Sequence, residues 1–405
     1  MSTEPPLMEG PTSNDYSSNI PNTELQGKAG YIRAPAVLKR TLRGIARRYR
    51  GRSVLVGIAA IAAITEIFCA TSLSSYLYSF NLFMLTVFGA VALNLLMGTA
   101  GLVSIGNAAF LAAGGFTSII VMRIGLAFPL DVVASGLVSA FVGIVIGLPA
   151  VRLQGIYLAL ATLAGLFIIT YLTNVYQTGA SGGGDGGFTI PTEFASKGLN
   201  GSQPYWAWTL FGCVSLLLLI VTRLSRGRSG RAWRMARDHA TAARALGIRV
   251  TRYRMMAFAI SSSIIGIEGA LSLHFTGSIS SDQFTLPLSI SYVAMVLIGG
   301  LDSIAGSVIG AAVVTGLPVV VPKLLTSIIG SQYAENYSAA SSEIVYGILV
   351  MVFITSSPRG LVGAYYRLVR LLGNRGRGES SESAKPSAGK VIETSTLQEW
   401  VTRSD

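Results

Sequence analysis

The sequence predicts an all-α protein, a polytopic membrane helix bundle of about 10 transmembrane helices with broken helices near the core. Three observations predict it. Apolar residues make up 51% of the 405 and charged residues only 12%, about half the charge of a soluble domain. From Ser53 to Thr222 the only charged side chains are Glu66, Arg123, Asp131, Arg152, Asp185, Glu193 and Lys197. So few cannot solvate a water-soluble surface, whereas a lipid-facing surface needs none. The apolar residues also fall in runs near the ~20 that a helix needs to cross ~30 Å of hydrocarbon.

The elements follow in order. Residues 1–30 are rich in Ser, Pro, Asn and Thr and are expected to be disordered. Lys28–Arg52 then carries nine Lys/Arg and no acid. It is read as a cytoplasmic flank or as a lipid- or partner-binding arm. Apolar runs follow at 53–73, 76–98, 101–122, 127–150, 156–176 and 205–222. A second basic block holds ten arginines between Arg223 and Arg254. Runs resume at 255–276, 288–301, 304–322 and 343–357. The tail 359–405 is basic, then rich in Ser and Glu, and is expected to be largely disordered.

Positive charge beside spans marks the cytoplasmic side. The first block therefore places the N-terminus inside. Six crossings return the chain inside at 223, and four more return it at 358, where the tail is again basic. This predicts a multi-pass cell-membrane protein with both termini cytoplasmic. Its parts are an arm 1–52, a transmembrane domain 53–358 and a cytoplasmic tail. Gly299-Gly300 and Asp302 divide 288–322 into two short helices or one long broken one, and the even count takes two. Within the transmembrane domain, 223–254 is a cytoplasmic loop and 177–204 an external one. The external loop, with Gly182-Gly183-Gly184-Asp185-Gly186-Gly187, reads as a flexible linker or as ordered turns at a substrate entrance.

Several function classes are excluded. The net charge of +12 lies in blocks that flank apolar runs, without the basic, aromatic-interleaved surface of a nucleic-acid binder. Cys69 and Cys213 sit inside apolar runs and read as packing residues. About fifty mostly polar residues precede the first run, so no cleavable signal is expected. His239 and His274 lie in different regions and no metal-ligand spacing occurs. With no catalytic constellation, the chain is not expected to be an enzyme. No G-x-x-x-x-G-K-[ST] loop is present, and no regular series of intramembrane acids suggests a proton relay. The chain is expected to hold no cofactor, and any energy for pumping comes from a partner.

Two local features stand out. Ala100-Gly101-Leu102-Val103-Ser104-Ile105 echoes Gly299-Gly300-Leu301-Asp302-Ser303-Ile304, and both interrupt apolar stretches. Transporters carry such repeats, with broken helices near the solute path. The second feature is Arg231–Gly247, rich in alanine, the best helix former, and ending on Gly247 as a natural stop. Trp233, Ala236, Ala240, Ala243 and Gly247 form one mostly small stripe among arginines. The stripe suits a helix lying on anionic membrane lipid or a helix that docks another protein.

The second segment resembles the coupling-helix region of LivM-type permease subunits of branched-chain amino acid ABC importers. Their pattern is close to G-R-A-x-x-A-x-R-[DE]-x-E-x-A-A-x-A-x-G-I-x-V-x-x-Y. Here it reads Gly230-Arg231-Ala232 through Gly247-Ile248, then Val250 and Tyr253. Ala240 stands where that family has an acid, which leaves Asp238 to seat a partner. The stretch Leu93 to Phe110 is similar to the family's LNLLxGxAGxxSxGxAAF, and Arg152 to Leu163 to its LRGxYLALxTL. Thr178-Gly179 and Asp185-Gly186 resemble its TGGxxG loop with an insertion. His274 to Phe284 and Gly299 to Gly306 resemble its late segment, with Asp302 where the family usually has Gly. The resemblance spans roughly 75–362.

The resemblance implies a heterodimer with a second, related permease, two cytoplasmic ATPase subunits that bind the ATP, and an extracytoplasmic solute-binding protein. It also implies that the 231–247 helix, with Arg231 and Asp238, transmits ATPase closure. Solute transport is expected to use polar groups inside spans, since these tend to face the bundle interior. Asn94, Ser104, Asn107 and Thr162 are the candidates, with interhelical hydrogen bonding as the other use of the same groups. Glu268 is a fifth candidate, because a buried carboxylate is costly unless partnered or near water. The competing reading is an ion-coupled secondary transporter that uses Glu66 or Glu268.

Overall fold

Hydrocarbon offers no partner for a backbone N–H or C=O, so apolar runs fold as helices that satisfy their own. The computed structural model describes residues 77–126, 128–150, 155–180, 187–190 and 203–329. Glu66, Ile344, Gly347, Ile348, Met351 and Leu361 are isolated described positions. All of these lie within the unit Val54–Asp405. The basic arm, the 53–73 run apart from Glu66, most of the 343–357 run and nearly all of the tail lie outside the described residues.

The first helix, α1 (Leu77–Asn94), passes directly into a π-helical turn, Leu95–Thr99. It is followed by α2 (Asn107–Arg123), α3 (Leu130–Ala150), α4 (Ile156–Ala180), strand β1 (Phe188–Thr189) and α5 (Gln203–Arg226). The arginine-rich segment forms α6 (Arg228–Asp238) and α7 (Ala240–Ala245). Then come α8 (Val250–Thr276), β2 (Ser278–Ile279), a 3₁₀ turn (Ser281–Gln283), α9 (Leu286–Gly299) and α10 (Ile304–Ile329). Among the described residues six helices are long and apolar enough to cross a membrane, and α2 and α9 are shorter apolar helices. The predicted membrane helix bundle with broken helices is the observed architecture.

Side-chain contacts fix the direction of each helix. Tyr78 stacks on Phe275 and Trp206 meets it edge to face, Arg123 sits over the Phe188 ring, and His274 meets Asp131. Gln177 accepts the Ser281 N–H at 2.8 Å. These residues mark one end of the bundle, where β1 pairs antiparallel with β2, Phe188 opposite Ile279. At the other end Trp233 Nε1 donates to Tyr253 O at 2.7 Å, and Arg237 donates to Gly98 O. The Asp302 N–H, bound to Asn94 Oδ1 at 2.9 Å, puts the α9–α10 turn at that same end, so the eight apolar helices of the described residues alternate in direction.

The central helices are α1 and α8. Most of their residues are buried, and they carry buried Asn81, Asn94, Ser261, Ser262 and Glu268. Helices α3, α4 and α5 turn Leu137, Phe141, Phe167, Tyr171 and Leu216 outward, each more than half exposed. Apolar groups outside and polar groups inside is the arrangement a bilayer selects. Helix α8 packs against α3 and α2 through very small residues. A Cβ at Gly266 would overlap the Ser139 side chain and come within 2.8 Å of Ser135 O. Such close approach gains dispersion contact where lipid supplies no hydrophobic drive. Ser139 Oγ donates to Phe110 O at 3.1 Å and Ser261 Oγ to Ala92 O at 2.9 Å, adding interhelical hydrogen bonds.

Two expectations change in detail. The 101–122 run is not one span: residues 101–106 are non-helical and α2 starts at Asn107. Gly101 has φ +72, a conformation that an L side chain resists. Seventeen residues at 1.5 Å rise cover about 25 Å, less than the hydrocarbon thickness. The 288–322 stretch is two helices, as the even count takes, divided by a turn with Gly300 at φ +113 and Asp302 at φ +62. In the 177–204 loop, α4 continues to Ala180 and residues 187–190 are held by β2, with Ile190 N donating to Gly277 O at 3.0 Å. The described part of that loop is ordered backbone.

Candidate functional site

The interrupted helices gather polar groups in two places. The first is a seam inside the bundle. Thr162 Oγ1 accepts the Ile105 N–H at 3.0 Å and donates to Ala159 O at 2.9 Å, so it holds the non-helical stretch before α2. Ser104 is fully buried and accepts the Gly106 N–H at 3.4 Å. Asn107 opens α2, is fully buried, and has no hydrogen-bond partner at either polar side-chain atom. Its neighbour Ala108 donates its N–H to Ser289 Oγ at 3.0 Å. One helical turn along α9 from Ser289, Tyr292 donates its hydroxyl to Glu268 Oε1. Glu268 is 1% exposed, and its Oε2 has no partner. A buried polar atom left without a partner calls for an explanation. At Asn107 and Glu268 the free bonding capacity faces the interior of the bundle.

The second place is a junction at the arginine-rich end. Asn94 Nδ2 donates to Ser303 O at 2.8 Å and to Ser307 Oγ at 2.5 Å. Its Oδ1 accepts the Asp302 N–H at 2.9 Å. Ser303 Oγ in turn accepts the Gly306 N–H at 3.1 Å, the bond of a helix N-cap. The two echoing segments, 100–105 and 299–304, thus meet through Asn94 and the π turn that precedes the first of them. A π turn inside an α-helix is itself a common mark of a functional site.

The Arg231–Gly247 segment is two helices, where the sequence reads one. His239 adopts non-helical dihedrals, φ −147 and ψ 83, between them. The bend lets Ala236 and Ala243 pack together with Val250 in one small cluster. Trp233 is buried in the bundle core at 1% exposure, and Ala236 and Ala243 are buried in that small cluster at 2% and 0%. Ala240 is half-buried and Gly247, at φ +78, is exposed. Three of the five stripe residues, Trp233, Ala236 and Ala243, therefore pack inward. Arg231, Met235, Asp238, Thr241, Ala242 and Leu246 are on the exposed face. Asp238 also pairs with Arg237 Nε at 2.9 Å.

Of the five polar residues singled out from sequence, the structure brings Ser104, Asn107 and Thr162 together and links them through α9 to Glu268. It places Asn94 apart, fully used in holding the 302–307 turn. Glu66 is helical and exposed. Tyr292, Ser289 and the pair of Asp131 with His274 were not legible as site or anchor residues, because each depends on a partner on another element, 24 positions away for Tyr292 and more than a hundred for the others. The one available signal was that a charged group inside a span needs a partner, and Asp131 and His274 are both near span ends.

A bundle whose helices are interrupted inside it, with polar groups collected at the interruptions, is the architecture of a membrane solute transporter. Residues 75–354 match the family described as branched-chain amino acid transport system / permease component, and the chain belongs to that family. It is 27% identical over 323 residues to the high-affinity branched-chain amino acid transport system permease protein LivM of Salmonella typhimurium, covering 74% of this chain and 72% of that protein. To the LivM protein of Escherichia coli it is 26% identical over 326 residues, covering 74% and 73%. No solved structure matches the chain.

Proposed function

We propose that this chain is the membrane-spanning permease subunit of an ATP-driven importer for branched-chain amino acids or related small organic solutes. The observation that carries the reading is the family match over residues 75–354. The chain has no phosphate-binding loop of its own, so ATP is bound by partners. Those partners are two cytoplasmic ATPase subunits, a second related permease and an extracytoplasmic solute-binding protein. The end that carries α6 and α7 is cytoplasmic, because ten arginines cluster there between Arg223 and Arg254. Both chain termini are on that same side.

The exposed face of α6 and α7 takes the ATPase. Met235 is 36% and Leu246 67% exposed, apolar groups that gain from being covered. Replacing both with glutamate should abolish co-purification of the ATPase and leave the permease intact, as judged by its elution and thermal unfolding. Retained ATPase binding would place the docking face elsewhere. Uptake that survives removal of every ATPase but collapses with the ion gradient would overturn the importer reading in favour of ion coupling.

Solute passes along the seam that contains Ser104, Asn107, Thr162 and Glu268. Glu268→Ala should lower uptake about tenfold, the equivalent of ~1.4 kcal/mol lost in passage, with assembly retained. Unchanged uptake and assembly in that variant would exclude Glu268 from the path.

A further inference from the structure

We propose that Asp302 is a positioning residue that ties the ATPase-docking helix to both helix interruptions, so that the three move as one body. The inference rests on the importer reading and deepens it.

The geometry is a three-way junction. Arg234 on α6 approaches the Asp302 carboxylate with two nitrogens: Nε lies 3.2 Å from Oδ2, and Nη2 lies 3.3 Å from Oδ1. Thr99, at the end of the π turn, donates to Oδ1 at 3.2 Å. The Asp302 N–H is bound by Asn94 Oδ1 at 2.9 Å. One residue therefore touches α6, the π turn and the α9–α10 turn. A second arginine strengthens the link: Arg237 Nη1 donates to Gly98 O and lies 3.9 Å from Asp302 Oδ2. Its stem packs on Gly101, where any Cβ would overlap it. Two further bonds lock α6 to the neighbouring helices, Trp233 Nε1 to Tyr253 O and Arg234 Nη1 to Ser225 O at 3.1 Å.

Burial separates a positioning role from a stabilising one. The Arg234 and Asp302 side chains are 36% and 31% exposed, and an ion pair so accessible to solvent adds little to stability. The backbone argues the same way. Asp302 has φ +62, which glycine would adopt with less strain. A residue that neither buries apolar surface nor suits its backbone is explained by what its carboxylate connects. The planar, two-pronged arginine contact fixes orientation as well as distance. A displacement of α6 is transmitted to residues 98–101 through Arg237 and to residues 300–303 through Arg234. These two turns position the starts of the stretch leading to α2 and of α10.

The test uses the complete importer, with sister permease, ATPases and binding protein, reconstituted in vesicles. Asp302→Asn and Asp302→Gly are compared with the unaltered protein, together with Arg234→Gln. Expected is retained ATPase co-purification and retained ATP hydrolysis, with solute moved per ATP reduced at least about fivefold, the lower end of typical coupling between sites. Asp302→Gly should melt no lower than the unaltered protein. Adding Arg234→Gln to Asp302→Asn should give no further loss, because both remove the same link. An unchanged transport-to-hydrolysis ratio overturns the proposal, as does uptake that falls only in proportion to the folded complex. Failure of the importer reading itself is distinct: the unaltered protein would then show no ATP-dependent uptake in the same vesicles.

Discussion

Gly266→Leu should leave almost no folded protein in the membrane. Gly266 faces α3 so closely that even a methyl group would overlap Ser139 and approach Ser135 O at 2.8 Å. The obstacle includes backbone, which cannot rotate away as a side chain can. Its own Cα and carbonyl also stand against Gly114 on α2. A leucine there would pry α8 from two neighbours at once. Overpacking of this kind exceeds about 3 kcal/mol when backbone must move, a large part of the roughly 5–15 kcal/mol that holds a fold together. Gly266→Ala should fall between the two. Membrane yield and the melting temperature of purified protein check this, and a normal melt for Gly266→Leu would mean that α8 does not pack this closely on α3 and α2.

Asp131→Ala should be the second severe variant, by another route. Asp131 is fully buried and accepts two hydrogen bonds on Oδ2, from Ser118 Oγ at 2.6 Å and with His274 Nε2 at 2.6 Å. Phe128 closes over the imidazole, ring centroids 5.5 Å apart. The carboxylate joins α2, α3 and the end of α8. Truncation leaves a hydroxyl and an imidazole without their partner in a closed site, and removing one member of a buried pair costs about 3–5 kcal/mol. Asp131→Asn should cost less, since an amide oxygen still accepts. The double variant Asp131→Ala with His274→Leu should recover part of the loss, because both polar partners are then gone. If the double variant is no more stable than the single, the pair is not what anchors these helices.

The apolar runs were legible because the bilayer imposes one rule on every span: length and lack of charge. That rule placed α1, α3, α4, α5, α8 and α10, with both ends within seven residues of those observed. It failed at 101–106, where the run is apolar but Gly101, Ser104 and Gly106 take the backbone out of the helix and Thr162 holds it there. Hydropathy reports transfer to lipid and carries no information on backbone conformation, and here Leu102, Ser104 and Gly106 are buried in protein. The break at His239 was also hidden. Alanine-rich sequence favours a continuous helix, but packing Ala236 and Ala243 into one cluster with Val250 requires a bend. The polar residues inside spans could be picked out one by one. Which of them hold the fold and which have free atoms was settled by partners far away in sequence: Asn94 is saturated by the 302–307 turn, and Asn107 is not.

Asn94 has a consequence for how the protein is made. It is synthesised near the end of α1, yet the groups that bind its amide, Ser303 and Ser307, follow 209 and 213 residues later. At the usual ~5–20 residues per second of translation, α1 waits roughly 10–40 s in the membrane before its polar end is matched. During that interval the nascent chain carries an unmatched amide, and Glu268 joins it before Tyr292 is made. Assembly of the core is therefore a late event in biogenesis. A chain truncated after α1 but before residue 303 would present the unmatched Asn94 to the machinery that recognises unassembled membrane proteins.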